Sequence, residues 1–470
     1  MTSSDANEQS SSLQETTYFG RLCGVRHVQV LLLFLCLTVN FLMRVNLSVA
    51  IVVMTDTGTA SNNPVFNWTM AEQTQIQSVF YFGYFVMNVI SAVLATIYSN
   101  KLLLFLSVSL SSAITLVTPT IVAIGGRYAL LLSRVFLGVM QGMMMSNVMS
   151  LMSKWIPPTE RSRCGSFIIG GMNFGTLVSF STSGWIGFHF GWPSIYYFSG
   201  GLGAVWALTW LILAADSPEN CWYITKKERD FVLQELFQCQ ITAGKSRKIP
   251  WKKILTNKAC FALILTTIGH YWGNMTLLAE MPTYFKAVLH LHTTHNGMIS
   301  ALPYACMMVF SLLFSCVVDI LIKRGRVSVT SARKSCNSIG QWGAAACLVV
   351  LSYCKHESTI VTMYTLGATL LGFSYFGFNI NHLDIVPKYA GFFMGITNAL
   401  SNISNVLGPL FVGFIVYDAE NKQQWRTVFW VSAIIWFIGN SIFIIFGSGE
   451  PQDFSEDEVS EDTSVHQRSN

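Results

Sequence analysis

The chain contains twelve apolar runs, each about long enough to cross a lipid bilayer as a helix. A bilayer core about 30 Å thick requires roughly 20 apolar residues in a helix that rises about 1.5 Å per residue. Because these runs are apolar on all sides, they predict helices that lie in lipid or inside a bundle. The predicted spans are 28–54, 76–98, 102–124, 128–152, 165–188, 193–214, 260–284, 297–318, 337–354, 359–382, 390–416 and 427–447.

Composition excludes the main soluble classes. Charged residues make up 11% of the chain and hydrophobic residues 52%, whereas an ordinary globular protein carries roughly 25% charged residues. So few charges cannot cover a water-facing surface, which excludes a large soluble domain, a disordered chain and a coiled coil. The net charge of +5 is small, so no nucleic-acid partner is expected. The 11 cysteines are scattered and are interpreted as small core residues.

The basic residues predict the orientation in the membrane. Of the 29 Lys and Arg residues, 22 fall in the segments on one side of the predicted spans and five fall in the loops on the other. The positive-inside rule then places both termini in the cytosol. We expect residues 1–27 to be a disordered N-terminus without a cleavable signal, and 449–470 to be an acidic tail. The plasma membrane is expected rather than an organelle.

The longest internal loop, 215–258, divides the chain into two six-span halves, 28–214 and 259–448. The predicted fold is therefore an all-α membrane protein of twelve transmembrane helices in two six-helix halves, expected to be a monomer whose main partner is the bilayer. This layout is that of major facilitator transporters, whose substrate sites lie near the midplane between the halves. A channel is the rival interpretation, but no repeated filter-like segment is present.

Three charged residues fall inside predicted spans: Arg44, Arg134 and Glu280. An ionised group in hydrocarbon costs about 2.5–3.5 kcal/mol on insertion scales, so each one needs a physical reason. Two guanidinium groups that face a central cavity would bind a phosphate or a carboxylate. Alternatively, each arginine pairs with an acid or with helix carbonyls, and Arg134 reaches the membrane surface. Glu280 is expected at the interface, with a cation or proton ligand as the alternative.

Neutral polar residues within the spans predict a wet cavity. They include Gln77 and Gln141, and His270 is a candidate for proton coupling or a satisfied core histidine. Small residues such as Gly138-x-x-x-Gly142 predict close helix packing. There is no metal-ligand spacing, nucleotide loop or paired nucleophile and base, so an enzyme is not predicted and no cofactor beyond a coupling ion is expected.

The sequon Asn67-Trp68-Thr69 lies in the first predicted outer loop. The other three sequons, which begin at Asn46, Asn274 and Asn402, fall inside predicted spans, where glycosylation enzymes do not reach. Asn67 is therefore the one predicted glycosylation site.

Three segments resemble motifs of a known family. KWIPPTERSR at 154–163 is similar to the family loop K-W-x-P-P-x-E-R-S, and NHLDIVPKYAG at 381–391 is similar to N-x-x-D-I-A-P-R-Y-A-G. RVNLSVAIV at 44–52 is the third. Residues 26–450 thus resemble the anion:cation symporters of the major facilitator superfamily, known as solute carrier family 17, and among these the inorganic phosphate cotransporters of arthropods. The resemblance places cytoplasmic gating motifs at Lys154, Glu160, Arg161, Asp319, Arg333 and Asp384.

The resemblance also implies a substrate site. The substrate arginines of the family correspond to Arg44 and Arg134, and a third arginine of the glutamate carriers corresponds to His270. Their span-two histidine corresponds to Gln77, and their acidic coupling residue corresponds to Gln141. These differences argue against glutamate as the cargo. The phosphate branch, which also has Gln at the last position, implies sodium as the coupling ion, although no sodium site can be traced from spacing.

Two departures from the family pattern concern helix shape. A Q-x-P-G-G segment in span two is replaced by residues 88–92 (NVISA), and a proline in span four is replaced by Ser146. We therefore expect a secondary active transporter of inorganic phosphate or a small organic anion, coupled to sodium. The alternatives are a proton-coupled or facilitative organic-anion carrier, and a membrane protein that has lost transport and serves as a binding or regulatory partner.

Overall fold

The structure is a computed structural model that describes residues 24–56, 64–157, 160–243, 251–386 and 390–452. All regular elements in these ranges are helical. The helices are α1 (Val25–Thr55), α2 (Met70–Ile97), α3 (Asn100–Gly142), α4 (Met144–Trp155), α5 (Arg161–Phe190), α6 (Trp192–Leu213), α7 (Lys226–Ala243), α8 (Trp251–Thr256), α9 (Lys258–Ala287), α10 (Thr293–Lys323), α11 (Val329–Tyr353), α12 (Glu357–Leu371), α13 (Ile380–Ile385), α14 (Ala390–Ile415) and α15 (Lys422–Phe446). A short π-helix, Tyr375–Asn379, joins α12 to α13.

Helix α3 contains two antiparallel arms that reverse at Gly126. This residue has a φ of 55°, which a residue without a Cβ adopts at little cost. The Ser107 hydroxyl donates a hydrogen bond to the Met140 carbonyl oxygen at 2.7 Å, whereas a straight helix would separate these residues by about 50 Å. The arms therefore correspond to predicted spans three and four, and the chain forms the twelve crossing segments that were predicted.

Seven helical segments meet a strict criterion of length and apolarity for a membrane span, and one of them, Asn100–Trp155, includes both arms of α3. The remaining crossing segments are helices α2, α9, α10 and α11. Helices α2, α9 and α11 among them carry buried polar side chains. Gln77, Thr266 and Gln341 are examples, one from each helix. These three helices therefore contribute polar side chains to the interior of the bundle.

The twelve segments form two six-helix halves, α1–α6 and α9–α15. Each half has apolar clusters of its own, around Trp210 in the first and around Trp436 in the second. One further cluster joins them, because Phe80 and Phe180 of the first half pack with Met275 and Tyr304 of the second. Helix α5 lies against α10, and α2 lies against α14, across this interface.

We call the end of the bundle that holds residues 24 and 447 the termini end, and the opposite end the far end. At the far end the halves are in close contact. A Cβ on Gly184 of α5 would lie 2.9 Å from the Gly297 Cα of α10. The Lys286 ammonium contacts the Asp56 carboxylate at 2.7 Å and so joins α9 to α1. The site between the halves is therefore closed on this side.

The central segment 215–258 includes helices α7 and α8, and α7 docks on the start of α1. The Glu228 carboxylate accepts hydrogen bonds from the backbone N–H groups of Val25 and Arg26, at 3.0 and 3.1 Å. At the other end of the chain, the Gly449 N–H donates to the Thr330 hydroxyl at 2.9 Å. The predicted disorder of the N-terminus and the acidic tail falls mainly on residues 1–23 and 453–470, which lie outside the described residues.

Candidate functional site

Arg44 is held on α1 by aromatic rings and amides. Its guanidinium carbon lies 4.5 Å from the centre of the Phe41 ring, 5.0 Å from that of Phe80 and 4.8 Å from that of Tyr84. Ring faces attract a cation, and the attraction grows when water is excluded. The Nε group donates to Gln141 Oε1 at 3.1 Å, and Nη2 donates to Asn40 Oδ1 at 3.4 Å.

Arg134, on the second arm of α3, is 3% exposed. Its Nη2 group donates to Asn46 Oδ1 and to the Tyr196 hydroxyl, both at 3.4 Å. Asn46 is itself fixed because its Nδ2 donates to the Ser199 hydroxyl at 2.8 Å. Arg134 therefore points into the first half, and it does not reach for the membrane surface, which was the alternative considered from the sequence.

Within the described part of the chain, neither arginine forms an ion pair. Their hydrogen bonds use Nε and Nη2 of Arg44 and Nη2 of Arg134. A guanidinium carries five N–H donors and no acceptor, so donors remain on both side chains. Arg134 is buried and Arg44 is half-buried, so both charges are costly to keep without a carboxylate partner, and an anion that accepts these donors would relieve that cost.

Both arginines line one cavity between the halves. The cavity has a volume of about 30 Å³, which is room for about two water molecules. Ala279 and Leu278 of α9 close it from the second half. The other lining residues are Val45, Leu47, Ser48, Gln77, Phe80 and Tyr81.

The two predicted glutamines do different things. Gln77 is 6% exposed and lines the cavity, and neither its Nε2 nor its Oε1 has a hydrogen-bond partner among the described residues. Its amide N–H groups are therefore available to an anion. Gln141 is fully buried, accepts from Arg44 and donates to the Asn40 carbonyl oxygen at 3.4 Å. Gln141 positions Arg44 and is not among the residues that line the cavity.

Glycines bring the aromatic rings to Arg44. A Cβ on Gly138 would overlap the Phe80 carbonyl oxygen, and a Cβ on Gly142 would lie 2.6 Å from the Tyr84 carbonyl oxygen. Helix α2 and the second arm of α3 are thus in backbone contact, which is the close packing that the Gly-x-x-x-Gly spacing predicts. This contact places Phe80 and Tyr84 within reach of the guanidinium.

His270 is not among the residues that line the arginine cavity. It is fully buried on α9, and its ring lies 4.9 Å from Phe378 and 5.6 Å from both Tyr271 and Tyr375, between ring centres. Neither ring nitrogen has a hydrogen-bond partner among the described residues. Phe378 and Tyr375 belong to the π-helix, an element often found at functional sites.

Glu280 lies in the interior, and the expectation that it lies at the interface is wrong. The side chain is 2% exposed, and neither carboxyl oxygen has a hydrogen-bond partner among the described residues. It follows Leu278 and Ala279, which close the arginine cavity. The sequence gives no sign of this because the tertiary packing of α9 decides which side of the helix is covered.

At the termini end, predicted gating residues form ion pairs within each half. Lys154 contacts Asp216 at 3.1 Å in the first half, and Arg333 contacts Asp384 at 2.7 Å in the second. Burial acts to raise the pKa of Asp216, but hydrogen bonds from Lys154 and from the Lys101 N–H outweigh it and hold that pKa below its usual value. The Asp216 carboxyl group is therefore ionised at neutral pH and attracts the Lys154 ammonium.

Glu160 pairs with a residue that sequence reasoning missed. Its carboxylate accepts two hydrogen bonds from Arg26, at 2.9 and 3.0 Å, and Arg26 also contacts Glu228 at 3.7 Å. No short motif links these three positions, so only the fold reveals them. Arg161 begins α5 and Asp319 lies on α10, but their side chains fall outside the described residues.

Two residues at positions that depart from the family pattern contact each other. The hydroxyl of Ser91, within residues 88–92, lies 2.7 Å from the hydroxyl of Ser146. Asn88 Nδ2 also lies 3.5 Å from the Gly142 carbonyl oxygen. Helix α2 therefore makes polar contacts with α4 and with the second arm of α3. These contacts involve positions at which the family motif has glycine and proline.

Asn67 is exposed in the loop before α2. The hydroxyl of Thr69, the third residue of its sequon, accepts a hydrogen bond from the Glu72 N–H and caps that helix. By contrast, Asn46 is 1% exposed on α1. The described residues contain no group of His, Cys, Asp and Glu side chains that could hold a metal ion.

Comparisons with known proteins agree with this geometry. The family model described as Major Facilitator Superfamily matches residues 33–409. The "Putative inorganic phosphate cotransporter" of Drosophila melanogaster is 35% identical over 460 residues, with 92% of this chain and 86% of that protein covered. Human sialin is 31% identical over 457 residues, with 92% of this chain and 91% of sialin covered.

Solved structures show the same fold. A bacterial homolog of the human lysosomal transporter Spinster, in an inward-facing and unoccupied conformation, superposes with a TM-score of 0.69 at 14% identity. The match covers 90% of this chain and 96% of that one. At this identity the likeness concerns the fold alone.

Proposed function

The chain belongs to the major facilitator superfamily and, within it, to the anion:cation symporters of solute carrier family 17, and from this membership we propose that it carries inorganic phosphate or a small organic anion. It is a multi-pass membrane transporter and not an enzyme. One observation supports the anion most strongly: Arg44 and Arg134 line one cavity and lack acidic partners among the described residues.

The way the halves meet supports alternating access as the transport mechanism. Backbone contact at Gly184 and the Asp56–Lys286 ion pair close the far end. In our proposal the halves rock about the arginine cavity, so that each end opens in turn and the anion leaves on the opposite side. When the anion binds, it replaces water on Arg44 and Arg134 and accepts donors that the protein leaves unused.

The cargo is proposed from the donors and from the names of the relatives. Guanidinium groups and the Gln77 amide suit oxyanions such as phosphate or a carboxylate. A relative is named as a phosphate cotransporter and another is sialin. Gln141 accepts a hydrogen bond from Arg44 without neutralising it, so the positive charge of Arg44 stays available to an anionic cargo.

Coupling to a cation gradient is part of the proposal. Sodium is the ion that the resemblance to the phosphate branch implies. The second candidate is a proton-coupled carrier, and the buried carboxyl group of Glu280, which lacks a partner among the described residues, favours it.

The proposal places both termini in the cytosol, because the basic residues concentrate in the segments on that side. It places the working protein in the plasma membrane as a monomer. The first half spans 28–214 and the second 259–448, with the central segment 215–258 between them on the cytosolic side.

Uptake into proteoliposomes tests the proposal. Radiolabelled phosphate, urate, sialic acid and glutamate are supplied with and without a sodium gradient, at two pH values. We expect saturable uptake of phosphate or an organic anion, and loss of that uptake in Arg44→Ala. Absence of both uptake and binding for every anion would reject transport and favour a binding or regulatory membrane protein.

A further inference from the structure

We infer that Glu280 is a proton-binding site that is loaded from the far end and that couples proton movement to anion movement; this inference rests on the proposed transport function. It names the coupling residue of the proton-coupled candidate. The argument depends on the burial of Glu280, on its missing partners and on its place between two spaces.

The carboxyl group is buried without any compensating contact among the described residues. Its side chain is 2% exposed, and neither oxygen has a hydrogen-bond partner. A buried carboxylate without partners is too costly to persist, so the group must either hold a cation or carry a proton. A hard cation takes several oxygen ligands. Among the described residues, no group of His, Cys, Asp and Glu side chains forms such a site with Glu280, and a single carboxyl needs nothing more than a proton.

The charges nearby leave Glu280 unpaired. Helix α9 packs against α1, α10, α14 and α15. Helix α14 contains no titratable residue. Lys286 is paired with Asp56, and Arg426 donates to the Ser352 carbonyl oxygen at 3.2 Å. None of the ionisable side chains around this part of α9 forms a hydrogen bond with Glu280: Arg44 and Asp56 on α1, His295 and Tyr304 on α10, Tyr364 on α12, Lys422 and Arg426 on α15, and His270, Tyr271, Tyr284 and Lys286 on α9.

A space at the far end gives the proton a route. A vestibule of about 590 Å³ lies there, and Thr283 and Lys286 of α9 are among the residues that line it. Thr283 is one helical turn after Glu280, on the same side of the helix. The Thr283 hydroxyl is buried and has no partner among the described residues, so it can pass a proton inward.

On the other side of Glu280 lies the anion cavity. Leu278 and Ala279 close that cavity from α9. Glu280 therefore sits on α9 between the vestibule and the arginines. When the halves move, α9 moves with the second half, and the carboxyl group changes its access to water. The Glu280 carboxyl group takes up a proton when it is open to one end and releases the proton to water when it is open to the other. Its O–H bond is the only bond that breaks.

Proteoliposomes that hold the full chain separate coupling from binding. Exchange of labelled for unlabelled phosphate needs no net proton movement, whereas accumulation against a gradient does. With the interior about one pH unit more alkaline, one proton per electroneutral cycle sustains about tenfold accumulation in the wild type. We expect Glu280→Gln, a neutral side chain of similar shape, to exchange phosphate at the wild-type rate and to lose the accumulation.

Glu420→Gln is the matched control, because Glu420 is an exposed acid that lines the same vestibule. It should accumulate phosphate as the wild type does. Wild-type accumulation in Glu280→Gln would overturn the inference, and so would a wild type that exchanges phosphate but ignores the pH difference. Loss of exchange in a Glu280→Gln protein with an unchanged Tm would also overturn it. A wild type that exchanges no anion rejects the proposed function itself.

Discussion

The Nε group of Arg44 donates to Gln141 Oε1 at 3.1 Å, across two helices of the first half. This contact fixes the direction of the guanidinium without neutralising its charge. An acid at position 141 would orient the Arg44 guanidinium equally well, but its carboxylate would also neutralise the positive charge that we propose binds the cargo. The choice of amide over carboxylate at this one position therefore decides whether Arg44 is free to bind an anion.

Replacing Gln141 by Glu tests this relationship. The Gln141→Glu carboxylate would form an ion pair with Arg44 and compete with the anion. We expect phosphate binding to weaken by about 10- to 100-fold, equivalent to about 1.5–3 kcal/mol for hydrogen bonds to a charged group. Isothermal titration at neutral pH measures the change. The control is Gln75→Glu, at an exposed position of α2, which should bind phosphate as the wild type does. Unchanged phosphate binding in Gln141→Glu would contradict the account.

Closure of the far end depends on the glycines that join α5 to α10. A valine at Gly184 would push against the Gly297 backbone, so Gly184→Val should hold the halves apart at this end. We expect phosphate exchange to fall at least about tenfold, since closure is one of the steps of the cycle, while binding persists. Gly201→Val is the control, because a Cβ at Gly201 has no neighbour within 4 Å. Normal exchange in Gly184→Val would show that this contact is not part of closure.

Most of the fold could be predicted from the sequence, because length and apolarity are properties of the residues themselves. The twelve spans, the two halves and the close packing at Gly138 all follow from local patterns. The tight reversal at Gly126 could not be placed to the residue, since its positive φ is a property of the folded backbone. Likewise, the burial of Glu280 depends on which helices cover α9, and no local pattern reports that.

The Asp56–Lys286 pair is the second element of closure. Its side chains are 12% and 33% exposed, so the pair is worth no more than about 1 kcal/mol. Lys286→Glu should therefore change the exchange rate by about two- to fivefold, and added salt should reduce the difference. The double exchange Asp56→Lys with Lys286→Asp should restore the rate. If the double variant is as impaired as the single one, the pair does not act as a latch.

Glycosylation at Asn67 would fix the orientation of the chain. In a secretory cell, the wild type should lose mass on treatment with an N-glycosidase, and Asn67→Gln should run at the treated position without treatment. Asn46→Gln should leave the glycan in place, because Asn46 is buried on α1. If the wild type carries no glycan, the far end is not exposed to the lumen where glycosylation occurs, and the predicted orientation is contradicted.

The candidate site could be predicted only in part. The two arginines within the spans stand out because charge in a span is rare, and the cavity is lined by both together with Gln77. His270 was expected there but lies against the π-helix, since a position along a span does not say which way a side chain faces. Asn46, which holds Arg134, carries no signal beyond its sequon.

Phosphate titration of the purified protein tests the central claim most directly, namely that Arg44 and Arg134 bind the transported anion. We expect Arg44→Ala and Arg134→Ala each to weaken binding at least about tenfold, because each removes a charged donor. Arg127→Ala, which breaks a surface pair with Glu72, should change binding by less than about twofold. Wild-type affinity in the double variant Arg44→Ala, Arg134→Ala would contradict the account.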